Sequence, residues 1–121
     1  MGVHRIADGP YSVIVIDMFH YDEESNVVVR GFPTLELAAE YARRRTRDSL
    51  EELRSAGQSH AELRNQWYTF GEDCIVSGEG AEYKGAADID FFIDHPATAE
   101  ERDWMAIEKI VTSPAKPPRD R

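Results

Sequence analysis

The sequence predicts a small α+β domain: an antiparallel sheet of about four strands with helices packed on one face, in the order ββα(α)ββα. Three observations carry this. Val13-Ile14-Val15-Ile16 and Val27-Val28-Val29 are β-branched runs separated by a polar interval of hairpin length. Apolar and small residues recur at helical spacing from Leu35 to Leu53. A chain of 121 residues, 41% hydrophobic and 31% charged, has material for one core. Residues 1–112 are therefore expected to form a single domain.

The first strand follows the punctuating Gly9-Pro10 and spans residues 11–21. Residues 22–26 form the connection, and residues 27–32 return antiparallel. Pro33 ends that strand, and the Thr34 hydroxyl is placed to accept a hydrogen bond from the first helical turn. At 100° per residue, Leu35, Ala38, Ala39, Ala42, Thr46, Ser49, Leu50 and Leu53 share one stripe, which should face the sheet. Glu40 with Arg44, and Arg47 with Glu51, are i,i+4 pairs expected on the solvent side. The helix should stop near Gly57.

Ser59 and Glu62 have capping-box spacing and open a shorter helix carrying Leu63 and Trp67 inward, closed by Gly71. Residues 72–77 read as a third strand and residues 78–87 as a glycine-containing loop. In residues 88–94, Ile89, Phe91 and Ile93 alternate with Asp88, Asp90, Phe92 and Asp94, which predicts a half-buried fourth strand. Thr98 and Glu101 form a second capping box before a last helix with Trp104, Ile107 and Val111 on one face. Pro114, Pro117 and Pro118 predict a disordered, proline-rich tail over residues 113–121. The order resembles ββα written twice, although the residues of the two halves do not align.

Charge and cysteine content narrow the function classes. A net charge of −9 repels polyanions, so nucleic acid and anionic membranes are poor partners. No run approaches the roughly 20 apolar residues of a membrane span, and the first ten residues do not resemble a signal peptide. A lone cysteine, Cys74, forms no internal disulfide and fits a reducing, cytoplasmic setting; its strand position reads as a buried apolar site.

The first strand is apolar on both sides. Ile14, Ile16 and Met18 take one face; Tyr11, Val13, Val15, Phe19 and Tyr21 take the other. A helix layer covers one side only, so the aromatic face around Tyr11, Val13, Phe19 and Tyr21 is expected to be sealed by a second copy, another protein or a ligand, or else by the chain's own short second helix or its loop over residues 78–87. Leu37 and Tyr41, opposite the helical core stripe and beside Arg44, suggest a smaller contact patch.

Two alternatives weigh less. Asp88 and Asp90, about 7 Å apart on one side of a strand, with Asp94 and His95 nearby, are oxygen-rich enough to suggest a metal-assisted enzyme. Acidic residues on a strand's outer face more often guard a sheet against stray pairing. The basic run Arg43-Arg44-Arg45-Thr46-Arg47 suggests a nucleic-acid-associated regulator, the least favoured reading, because the run fans around its helix and makes no single stripe for a phosphate backbone and the net charge opposes it. The four histidines lack zinc-helix spacing, and no nucleophile elbow or phosphate-binding loop is present. The expectation is a noncatalytic binding or protein-interaction module without cofactor or metal, partnered by itself or another protein.

Overall fold

The computed structural model describes residues 2–20 and 22–113. Its element order is β1 (Gly2–Arg5), β2 (Tyr11–Asp17), β3 (Val27–Phe32), α1 (Leu35–Leu53), α2 (His60–Phe70), β4 (Glu72–Ser77), α3 (Ile89–Asp94) and α4 (Trp104–Thr112), with short 3-10 turns at Glu23–Ser25, Gly85–Asp88 and Glu100–Arg102. The architecture is α+β, one four-stranded sheet under a helical layer. The expectation of disorder over residues 113–121 lies, beyond Ser113, outside the described residues.

The sheet runs β1-β3-β2-β4 and is mixed, not wholly antiparallel. β2 pairs antiparallel with both β3 and β4, whereas β1 lies parallel to β3. Gly2 N donates to Asn26 O at 2.9 Å and Ile6 N to Arg30 O at 2.8 Å, which fixes the β1 register. All four β1 residues are exposed, so the strand owes little to burial and left no apolar alternation to read. The return to β2 passes so close to β3 that a Cβ on Gly31 would meet Ala7 O at 2.0 Å; its φ of +108° also favours glycine.

Thr34 Oγ1 accepts from Leu37 N at 3.1 Å and caps α1. The helix ends at Leu53, four residues before Gly57. Its buried side chains include Ala38, Ala42, Thr46 and Leu50 from the predicted stripe, and these small residues let α1 lie close on β2 and β4. One core cluster joins α1 and α4 to the sheet through Val13, Val15, Val29, Phe32, Cys74, Val76 and Ile107. A second joins Leu50, Leu63, Trp67, Ile89, Phe92 and Ile93. The Ser59–Glu62 capping box forms in both directions.

Residues 88–94 are not a fourth strand. They are a 3-10 turn followed by α3, in which Ile89, Phe92 and Ile93 turn inward at helical spacing. Six residues accommodate either periodicity, and tertiary partners decide between them. Arg54 donates to Phe92 O at 3.1 Å and Ile93 O at 3.0 Å, satisfying carbonyls at the helix end. β4's outer edge is instead met by an isolated bridge between Ile75 and Lys84. The second half therefore contributes one strand, and the ββα repeat does not hold. The Thr98–Glu101 capping box forms but opens a 3-10 turn; α4 starts later, at Trp104, with Asp103 as its cap.

Candidate functional site

Strand pairing sorts the sheet's side chains, because directly opposed residues point to the same face. Val13 opposes Val29 and Val76, and Val15 opposes Cys74; these face the helices and are buried. On the other face Ile14 opposes both Val28 and Ile75, and Val28 is in register with Val3 on β1. One apolar row, Val3–Val28–Ile14–Ile75, thus crosses all four strands. Ile16 adjoins it, Arg5, Arg30, Ser12 and Ser77 flank it on one side, and Asp73 flanks it on the other.

Among the described residues, no helix packs over this face: α1 contacts β2, β3 and β4 from the side of Val13 and Cys74, and α4 packs on α1. Ile14, Ile16, Val28 and Ile75 are half-buried within their own sheet, while Val3, on the edge strand, is 61% exposed. A face this apolar departs from the usual solvated side of an antiparallel sheet. Arg30 is exposed and makes no ion pair among the described residues, whereas Arg5 reaches Asp8 at 3.2 Å. Asp73 Oδ1 accepts from Ala86 N at 2.9 Å, and burial raises its carboxyl above the ordinary value of 3.8.

The open face is therefore the opposite one to that expected from β2. Val13 is fully buried, and Tyr11 is half-buried against the core cluster. Phe19 is 53% exposed, held just past β2 by a turn in which Asp17 accepts from its backbone N–H at 3.0 Å. Its ring lies 5.2 Å from that of Phe70 on α2. Tyr21 lies outside the described residues. Tyr41 is also fully buried, so the Leu37–Tyr41 patch does not exist on the surface; the Tyr41 hydroxyl donates to Glu108 at 3.0 Å and accepts from Arg45 at 2.7 Å. Arg44 pairs with Glu40 at 2.7 Å and donates to Asp103 O at 3.2 Å. None of the five described residues among these belongs to the open row.

The basic run is used internally. Arg43 pairs with Glu40, Arg45 with Glu72 at 3.3 Å, and Arg47 with Glu101 at 3.3 Å. Arg47 does not pair with Glu51, which binds Arg54 instead. The guanidinium of Arg45 also lies 4.3 Å from the ring of Trp104. This run therefore leaves no face of free arginines to meet a phosphate backbone.

The acidic segment is likewise rearranged. On α3, Asp90 and Asp94 sit one turn apart and both reach the ring of His60 on α2, at 2.9 and 2.8 Å; Arg64 joins Asp90 at 3.1 Å. Two carboxylates on opposite ring nitrogens describe an imidazolium acting as donor twice, and these bonds raise the His60 pKa above 6.5. The His95 ring stacks on Phe91 and its Nδ1 lies 2.8 Å from Phe91 O. Asp88 stands apart from Asp90, near the Tyr83 hydroxyl, whose pKa is raised by burial and by that carboxylate. The paired-carboxylate strand that suggested a metal does not form. Among the described residues, no group of three or more His, Cys, Asp or Glu side chains could hold a metal ion. Cys74 is buried, and burial pushes its thiol up to about 12, the opposite of an activated nucleophile.

Sequence reasoning missed the open row although a signal existed. Ser12 shares parity with Ile14 and Ile16, Arg30 with Val28, and Asp73 and Ser77 with Ile75. These polar residues lie on the outward side, while Asp17 and Glu72, of inward parity, stand at the strand ends. Compared with known proteins, the chain matches no family model, no curated protein and no solved structure.

Proposed function

We propose that this chain is a noncatalytic protein-interaction module that docks through the open face of its sheet. The supporting observation is the row Val3–Val28–Ile14–Ile75, continuous across four strands and covered by no described element. Four strands about 4.8 Å apart, with about five residues each at 3.3 Å, give the whole face an area of roughly 300 Å², with the apolar row at its centre. A cytoplasmic setting suits a chain whose one cysteine stays a buried free thiol. No described helix is long and apolar enough to cross a membrane.

The test is site-specific cross-linking in cells. A photoreactive residue at the open face, Ile14→p-benzoylphenylalanine, should give discrete protein adducts that the same residue at Glu52, exposed on α1, does not. Equal patterns from both positions would remove the basis for the reading.

A further inference from the structure

Resting on the docking reading above, we infer that the occupant of the open face is a second copy of this chain, packed sheet against sheet about a twofold axis that runs along the Val3–Val28–Ile14–Ile75 row. The register dictates the axis. Ser12 with Arg30 lies two residues from Ile14 and Val28 toward one end of the strands, and Ile16 with Asp73 lies two residues toward the other. Rotation about the central row sets each apolar residue against its own copy and exchanges the two flanks.

Charge complementarity favours this arrangement. On β3, Arg30 stands two residues beyond Val28, and Asn26 stands two residues before it, at the hairpin end that carries Asp22 and Glu24. The rotation lays Arg30, exposed and without an ion-pair partner among the described residues, over Asn26 of the second copy and beside that acidic hairpin. The contact occurs twice by symmetry. Asp22 accepts from Ser25 N at 3.0 Å and Ser25 Oγ at 2.7 Å, which lowers its pKa and keeps the hairpin anionic. Ser12 falls over Ile16, and Ser77 over Asp73. A twofold axis parallel to the strands would instead lay Arg30 over Ser12 and Arg5 over Ser77, offering neither arginine a carboxylate.

Area sets the strength. Roughly 300 Å² from each copy totals about 600 Å² before the rim is counted, below the 1,200 Å² of a standard interface and in the range of weak, transient association. The dimer should therefore be weak and transient, held together by apolar burial with two rim ion pairs.

Sedimentation equilibrium from about 10 µM to 1 mM tests this, with the monomer at 13.7 kDa. The wild-type mass should climb toward twice that value. Ile14→Glu should remain monomeric throughout. Arg30→Glu should weaken association about tenfold, and Glu24→Arg in the same chain should restore it to within about threefold, since both residues are exposed. A wild-type mass fixed at 13.7 kDa, association indifferent to Ile14→Glu, or failure of the charge exchange to restore association would each overturn the twofold dimer. If the protein is monomeric while position 14 still cross-links in cells, the second copy is excluded and the interaction module stands. If both fail, both readings fall.

Discussion

Replacing Gly85 by alanine isolates one close approach on which the helix–sheet layer depends. Gly85 is buried at the start of a 3-10 turn that passes beneath α1, and its φ imposes no left-handed strain. A Cβ there would lie 2.2 Å from Thr46 Oγ1, 2.6 Å from Thr46 Cγ2 and 2.8 Å from Thr46 Cβ, where ordinary contacts begin at 3.4 Å. Thr46 is fully buried on α1, so neither χ1 rotamer open to a helical threonine reaches solvent. The turn cannot retreat freely either, because Ala86 N donates to Asp73 at 2.9 Å. Overpacking of about 2 kcal/mol plus a weakened hydrogen bond of about 1 kcal/mol gives a loss of about 3 kcal/mol. Thr46→Ala removes the two nearest atoms. Alone it should cost about 1 kcal/mol or less, since one methyl is lost while the Thr46 hydroxyl, which has no hydrogen-bond partner, is no longer buried. The double variant should then recover about 2 kcal/mol relative to Gly85→Ala, well beyond the 0.5 kcal/mol scatter of independent sites. Urea denaturation at constant m-value measures all four corners of this cycle. A Gly85→Ala loss below about 0.5 kcal/mol, or strict additivity in the double variant, would refute the steric reasoning.

Two further outcomes follow from named contacts. Tyr41→Phe should cost about 2 kcal/mol, because the hydroxyl bridges the Arg45 guanidinium and the Glu108 carboxylate between α1 and α4; a loss below 0.5 kcal/mol in thermal or urea melts would show that water replaces it without penalty. The His60 clasp should be pH-dependent: its folded pKa is raised above 6.5 by the hydrogen bonds its ring donates to Asp90 and then Asp94, so its contribution is complete below 6.5 and disappears as pH rises through the folded value. Amide exchange in α3 should accelerate across that interval in the wild type and stay level in His60→Gln; an identical pH response in both proteins would assign the effect elsewhere.

Much of the fold was legible because several elements carry two agreeing signals. α1 has both a threonine cap and a small-residue stripe, and the cap bond and the burial of Ala38, Ala42 and Leu50 match them. α2 combines a reciprocal capping box with Leu63 and Trp67, both buried. Elements with one signal or none went astray. β1 is four exposed residues recruited by backbone hydrogen bonds to β3, which composition does not report. In α3 the alternation of Ile89, Phe91 and Ile93 competes with the helical spacing of Ile89, Phe92 and Ile93; Arg54 at its C-terminus and His60 across its face settle the contest from outside the segment.

The site was misread for a related reason, and the error is instructive because strand parity is binary. In β2 both faces are apolar, so bulk alone favoured exposing Tyr11 and Phe19 and burying Ile14 and Ile16. The helical layer reverses this, since α1 presents Ala38, Ala42 and Thr46, which leave room for Val13 and Val15 but contribute no polar partners. The strands beside β2 resolve the ambiguity: Arg30 on β3 would bury an unpaired charge if its face pointed inward, an expense far larger than leaving Val28 half-exposed, whereas Glu72 on the inward parity of β4 is met by Arg45 of α1. The charged residues thus decide the orientation of the whole sheet, and Ile14 is carried outward with them. A surface selected this way is apolar because its neighbours' polar residues left it no other direction, and the row becomes advantageous only if something covers it. That is why the outward isoleucine of the central strand, rather than any aromatic residue of β2, is the position whose substitution by glutamate should abolish association while leaving the fold intact.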